Sequence, residues 1–223
     1  MGGKILALLL VLLAPWAARA DSNALWNAVN GQCVPNKLAR TGPAPCAVVD
    51  LIGEFALLKD RDGAAQFLLI PTVRITGIES PLLQAPAARN YWADAWAERK
   101  FVMARAPRPL TEDEVGLAVN PPSLRSQDQL HIHMDCVRPE VMAQLRGLNL
   151  TGDWLRIRLL GVVYQARRFD MTQNPFQLMA AEAARQNTVM ANWSLASIGP
   201  HTLLVTRYGA TETLLDHSCL TAG

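Results

Sequence analysis

The segment Gln129-Leu130-His131-Ile132-His133-Met134-Asp135-Cys136 concentrates more reactive side chains than any other stretch of the chain. Its residues alternate between polar and apolar. On a β-strand successive side chains point to opposite faces, so His131, His133 and Asp135 share one face, about 7 Å between neighbours. Leu130, Ile132, Met134 and Cys136 share the other face, which is apolar and suited to pack on a core. A neutral imidazole nitrogen can attack phosphorus and form a phosphoramidate, and imidazole titrates near neutral pH, so its reactive form is abundant. The second ring nitrogen must then donate to an acceptor, and a backbone carbonyl on a neighbouring strand would serve. Two other readings fit the same pattern. His131 and His133 are also what a solvated strand face carries, and an H-x-H pair with Asp135 is a partial zinc or copper set, although no fourth ligand is evident.

The elements that must hold this strand follow from periodicity and punctuation. Phe55–Leu58 and Phe67–Pro71 flank Asp60-Arg61-Asp62-Gly63 as a hairpin with a glycine-bearing turn. Val115–Val119 reads as a strand followed by the loop Asn120-Pro121-Pro122-Ser123, and Gln129–Cys136 as the next strand. Trp154–Leu159 and Val162–Phe169 read as strands, and Ser194–Ser197 with Thr202–Thr206 as a second hairpin, its turn carrying His201. Asp21–Asn30 is expected as a helix capped by Ser22, Asn90–Ala104 as one helix built on Trp92, Trp96 and Met103, and Pro139–Leu145 and Pro175–Gln186 as two more. The Trp92/Trp96 stripe reads as core. Strands interspersed with helices indicate an α+β fold with a mainly antiparallel sheet and flanking helices. The two hairpins are alike in pattern, which suggests two similar halves. With no linker between them, residues 21–223 are expected to form one domain.

Residues 1–20 resemble a secretory signal. Lys4 precedes the apolar run Ile5–Ala14, and Ala18-Arg19-Ala20 supplies a cleavage pattern. The run is shorter than the about 20 residues of a bilayer span; an uncleaved signal anchor is the alternative. Two of the 21 basic residues lie in this leader, and the remaining 19 balance the 19 acidic ones. A neutral surface argues against general nucleic-acid binding. Four cysteines behind a signal read as two disulfides. Of the three possible pairings, the preferred one joins Cys33 to Cys46 around a proline-bearing loop and Cys136 to Cys219. The second bond would bring His217 near the histidine strand.

The sequence His131-Ile132-His133-Met134-Asp135 resembles the histidine-triad motif, whose middle histidine attacks the α-phosphorus of a nucleotide. The resemblance implies that His133 is the nucleophile and that Asn120 and Gln127, eleven and four residues before His131, bind phosphate or ribose oxygens; His131 is expected to have a positioning role in catalysis. It departs at the third motif position, where Asp135 replaces a histidine that assists the leaving group; Asp135 is expected near the substrate. A wider series resembles the bacterial CDP-diacylglycerol pyrophosphatase family: Gln32-Cys33-Val34-Pro35, Pro45-Cys46, Leu58-Lys59-Asp60, Gln66–Thr72, Glu79–Leu83, Arg138-Pro139, Asn174-Pro175-Phe176 and Asp216-His217-Ser218-Cys219. This resemblance implies hydrolysis of CDP-diacylglycerol to CMP and phosphatidate in the bacterial envelope, in the periplasm or anchored to the inner membrane facing it. No metal or other cofactor is expected, and the expected partners are a nucleotide-lipid substrate and the membrane surface. Lys59, Arg74 and Arg138 are candidate phosphate-neutralising cations. A general envelope nucleotide pyrophosphatase and a non-catalytic nucleotide- or lipid-binding protein are the alternatives, and the oligomeric state stays open.

Overall fold

The computed structural model describes residues 21–220, so the expected signal segment lies outside the described residues. Strands β1 (Val48–Asp50), β2 (Phe55–Lys59), β3 (Phe67–Pro71), β4 (Val115–Val119) and β5 (Ile132–Val137) come from the first part of the chain. Strands β6 (Leu155–Leu159), β7 (Val162–Arg168), β8 (Ser194–Ile198), β9 (Thr202–Thr206) and β10 (Leu215–Asp216) come from the second. The helices are α1 (Ala24–Ala28), α2 (Val34–Leu38), α3 (Tyr91–Ala97), α4 (Lys100–Arg105), α5 (Pro139–Leu145) and α6 (Pro175–Arg185). Among the described residues the strands form one sheet in the order β1-β2-β3-β5-β4-β8-β9-β7-β6, with β10 added beside β5. Every pairing is antiparallel, so the fold is α+β with an antiparallel sheet. No helix among these residues is long and apolar enough to cross a membrane.

The strand order contains a repeat. From the centre outward one half runs β4, β5, β3, β2, and the other runs β8, β9, β7, β6. Each half therefore places its third strand at the centre, then its fourth, second and first. Register extends the likeness to single residues. His133 lies between Leu68 of β3 and Ala118 of β4, and Leu204 lies between Ala166 of β7 and Ala196 of β8. Leu204 thus occupies in one half the place His133 occupies in the other.

The two faces of the sheet are covered differently. Phe67, Leu69, Ile132, Met134, Leu117, Leu195, Leu203 and Val205 share the main core with Trp92 of α3, Val102 of α4 and Phe176 and Met179 of α6. Trp92 is fully buried, donates its indole N–H to Ser197 Oγ at 3.1 Å, and meets Phe176 edge to face. Burying side chains of this size contributes about 1.5–3 kcal/mol each. The opposite face carries two smaller clusters. Leu68 and Ile70 pack with Val29 and Cys33 of the N-terminal helical segment, and Ala118, Ala196 and Leu204 pack with Val141 of α5 and Leu215 of β10. His133 is in register between Leu68 and Ala118, so it stands where the two clusters meet.

Two helical expectations need correction. The stretch Asn90–Ala104 is not one helix. It breaks between Ala97 and Lys100, where the Trp96 carbonyl accepts the Arg99 backbone N–H at 3.2 Å and the Arg99 guanidinium at 2.9 Å. Those donors take the acceptor that Lys100 N–H would need to continue an α-helix. The N-terminal helix also does not end at Asn30. It passes through a π-helical turn, Val29–Cys33, into α2, with Pro35 in the first turn of α2, where its missing N–H is tolerated. Its N-cap residue is Asn23 rather than Ser22.

Candidate active site

The face shared by His131, just before β5, and by His133 and Asp135 within it is buried rather than solvated. His131 and His133 are 8% and 7% exposed, and Asp135 is fully enclosed. Burial next to His131 and His217 holds the His133 imidazole well below its ordinary value, and burial lowers His131 as well. Both rings are therefore neutral at neutral pH. They stand 4.9 Å apart, centroid to centroid, edge to face.

Each ring is oriented through Nδ1. His131 Nδ1 lies 2.7 Å from the carbonyl of Gln129, which can only accept, so Nδ1 carries the proton. His133 Nδ1 lies 3.1 Å from Glu212 Oε1 and 2.8 Å from the side-chain amide of Gln66. Because His133 is neutral, its contact with Glu212 is a hydrogen bond rather than an ion pair. A carboxylate accepts only, so Nδ1–H donates to Glu212. The Gln66 Nε2 also donates to Glu212 Oε1, at 3.3 Å, and so holds the carboxylate beside the ring. This tautomer leaves Nε2 of His133 with its lone pair and no protein partner among the described residues.

Glu212 is held with care. It sits on a 3₁₀ turn, Thr211–Leu214. The buried Thr211 hydroxyl is 3.2 Å from the Val119 carbonyl at the end of β4 and 2.9 Å from the Leu195 carbonyl of β8. Asn120, the residue after β4, donates to Glu212 Oε2 at 3.0 Å and accepts the Glu212 backbone N–H at 3.4 Å. The acceptor for His133 is therefore this carboxylate, not the neighbouring-strand carbonyl expected from the sequence. Neither Glu212 nor Gln66 was singled out for chemistry: a lone polar residue in a non-periodic segment gives no spacing signal.

His131, His133, Asn120, Gln127 and Glu212 all line a cavity of about 660 Å³, a volume in the range of small-molecule sites. Leu25, Leu58 and Leu68 form part of its apolar wall, and Lys59, Arg61 and Arg125 are its bases. Arg125 is committed to Glu79 and Asp128. Lys59 Nζ donates to the Asp60 and Gly63 carbonyls at 2.6 and 2.9 Å, which leaves its positive charge without a carboxylate partner among the described residues. Arg74 and Arg138 do not line the cavity: Arg74 bonds Asn23, and Arg138 bonds the Thr213 carbonyl.

Two expected contacts look different in place. Gln127 spends its amide on the wall: its oxygen accepts from Leu25 N–H and its nitrogen donates to the Asp21 carbonyl, both at 3.0 Å. Asp135 does not reach the cavity. Its Oδ2 accepts from His217 Nδ1 at 2.8 Å and its Oδ1 from the Cys136 backbone N–H at 2.9 Å. Burial raises the Asp135 pKa, and the His217 hydrogen bond works against that rise. The exposed His201 lies in the β8–β9 turn, away from the cavity.

Both disulfides lie around this site. Cys33–Cys46 ties the N-terminal helical segment to the stretch before β1, with Cα atoms 5.6 Å apart, and Cys136–Cys219 ties β5 to the chain after β10, at 5.3 Å. Two such bonds fit an oxidising compartment such as the bacterial periplasm. Among the described residues the one close set of potential metal ligands, Asp135 with Cys136 and Cys219, has both sulfurs in a disulfide.

A chain from Yersinia pestis described as CDP-diacylglycerol pyrophosphatase is 36% identical over 219 residues, covering 90% of this chain and 85% of that one. Among solved structures, yeast Ap4A phosphorylase in complex with Ap4A matches with a TM-score of 0.44 and 13% identity, over 69% of this chain and 56% of that chain, too distant to argue from. The family model for CDP-diacylglycerol pyrophosphatase matches residues 20–223, which include every cavity residue described above. With a relative of that name aligned along nine-tenths of its length, the chain belongs to the CDP-diacylglycerol pyrophosphatase family.

Proposed function

We propose that His133 carries out the hydrolysis of CDP-diacylglycerol to CMP and phosphatidate through a covalent nucleotidyl-histidine. The observation that carries this reading is the neutral, buried His133 with Nδ1 directed at Glu212, which leaves Nε2 as the nitrogen available at the cavity. In the first step Nε2 forms a bond to the CMP-side phosphorus while the bond to the phosphatidate oxygen breaks, and phosphatidate leaves with the bonding pair. The ring then carries positive charge, which the Glu212 carboxylate at Nδ1 stabilises much as a buried carboxylate steadies the histidine of a hydrolytic triad. In the second step water attacks the same phosphorus, the P–N bond breaks, a proton passes to solvent, and CMP is released with His133 restored. His131 offers a neutral Nε2 beside the reacting centre. Lys59 supplies positive charge for the pyrophosphate, since catalysis of phosphoryl transfer is mostly positioning and charge stabilisation. Asn120 supports Glu212 and borders the phosphates, and Gln127 shapes the wall near them.

The continuous sheet supports reading residues 21–223 as one hydrolase domain, and the leader supports placing it in the envelope beside its lipid substrate at the membrane surface. The test is quenching with acid or base during turnover of a substrate labelled in the nucleotide. Acid-labile, base-stable label on the His133 peptide is the expected result. Turnover with no label on the protein, or label on another residue, overturns the covalent step.

A further inference from the structure

We propose that Asp135 and His217 are positioning residues that act through Glu212, forming the chain Asp135–His217–Glu212–His133 that fixes the carboxylate against the nucleophile. This rests on the reading of His133 as nucleophile. The register of the sheet creates the chain. Leu215 pairs with Val137 and Asp216 with Cys136, so the next residue of the antiparallel ladder, His217, falls opposite Asp135. The Cys136–Cys219 bond then closes the strand pair one residue beyond Asp135 and two beyond His217. Gly116 of β4 makes room for it: a Cβ there would lie 2.6 Å from Leu215 Cδ2 and 3.0 Å from Val137 Cγ2.

The path consists of two hydrogen bonds joined by one charge contact. His217 Nδ1 is 2.8 Å from Asp135 Oδ2, and its Nε2 is 3.7 Å from Glu212 Oε1, the oxygen that lies 3.1 Å from His133 Nδ1. A fully enclosed carboxylate is costly unless partnered, and among the described residues His217 is the side chain that donates to Asp135; Cys219 Sγ lies 3.3 Å from Oδ1 but carries no proton in its disulfide. The groups facing His217 are Asp135 from β5, Glu212 from the turn before β10 and Asp60 from the β2–β3 loop, with neutral His133 beyond Glu212. The Asp135 hydrogen bond, aided by the charges of Asp135, Glu212 and Asp60, raises the His217 pKa. Below that value His217 is a cation between two carboxylates. When attack makes the His133 ring cationic, charge alternates along the whole chain. Asp135 occupies the third position of the motif, and the structure returns an imidazole to its side from a residue 82 positions away.

The test compares wild type with His217→Gln and Asp135→Asn on two substrates, CDP-diacylglycerol in detergent micelles and the p-nitrophenyl ester of CMP. A positioning role predicts a kcat loss on the order of 10-fold or more for His217→Gln, with KM little changed and the same loss on both substrates. The alkaline limb of kcat that belongs to His217 disappears in His217→Gln and moves to lower pH in Asp135→Asn, because the lost carboxylate charge lets the imidazolium ionise earlier. Unchanged kcat and pH profiles overturn the proposal. So does a loss confined to CDP-diacylglycerol, which would make His217 a direct proton donor to the poorer leaving group. Should His217→Gln fail to fold, Asp135→Asn, nearly isosteric, decides alone by the shift of its limb. Label trapping on wild-type His133 is run in parallel: no adduct counts against the nucleophile, whereas an adduct with unmoved profiles counts against the relay.

Discussion

At the scale of single residues the proposed mechanism separates a reacting group from supporting ones. His133 stands on the face of β5 opposite the main-core residues Ile132 and Met134, so His133→Ala is expected to fold and to lose turnover by about 10³-fold or more, several kcal/mol of barrier. His131→Ala should lose less, since its Nδ1 is spent on the Gln129 carbonyl and it has no assigned covalent role. Steady-state rates with circular dichroism as a folding control check both, and a folded His133→Ala with near-normal rates would sink the mechanism. Glu212→Gln tests the tautomer. A carboxamide can present either an acceptor or a donor to Nδ1, and it no longer carries the charge that steadies the cationic ring. We expect kcat to fall on the order of 10²-fold with KM nearly unchanged. A fall in apparent affinity alone would instead place Glu212 at the substrate.

At the scale of elements, β5 is positioned by its neighbours on both sides and by a covalent tie at its C-terminal end. The two disulfides should differ in consequence. Losing Cys33–Cys46, which spans 13 residues, should cost about 3 kcal/mol by the loop-entropy model. It should leave the His217–Asp135 contact in place. Losing Cys136–Cys219, which spans 83 residues, should cost about 4–5 kcal/mol by the same model and also free β10, so that activity falls further than stability requires. Paired Cys→Ala variants measured for unfolding midpoint and for kcat below their melting range check the difference; equal activity in the two variants would show that β10 holds its place without the bond.

For the whole molecule, the fold is a sheet with a repeated strand order that carries the His131–His133 pair in one half. The place of His133 is taken in the other half by Leu204, fully buried with Ala196 and Val141. That half completes the sheet and, through the chain that follows β9, delivers Glu212 and His217 to the first. The histidines should also leave a mark on global stability. His131 and His133 have depressed pKa values in the fold, so the unfolded chain binds their protons first, and stability falls as pH drops below about 6.5. His217 has the opposite sign: its raised pKa contributes stability that is complete below about 6.5 and is lost as pH rises through its folded value. Urea midpoints across this range should decline on both sides, with His133→Gln reducing the acid-side decline and His217→Gln the alkaline one. A final expectation concerns the reaction as a whole. Turnover should survive exhaustive chelation, and activity abolished by chelator and restored by zinc alone would mean that His131 and His133 are ligands.

What the sequence determined by itself was local. Alternation over Leu130–Cys136 divides the histidines from the apolar residues because side-chain direction along a strand depends only on the backbone of that strand. Hairpins, helix-forming stretches and an even cysteine count are legible for the same reason, as is a motif confined to a few consecutive residues. The break between α3 and α4 was not legible, because a guanidinium three residues away competes for one carbonyl. Nor was the partnership of His133 with Gln66 and Glu212, residues 67 and 79 positions away, which exists only once strand order and register bring three segments together. Asp135 shows the division most clearly. Its place on the histidine face follows from alternation. Its enclosure and its partner follow from β10 pairing beside β5, which sets His217 opposite it and closes it off from the cavity.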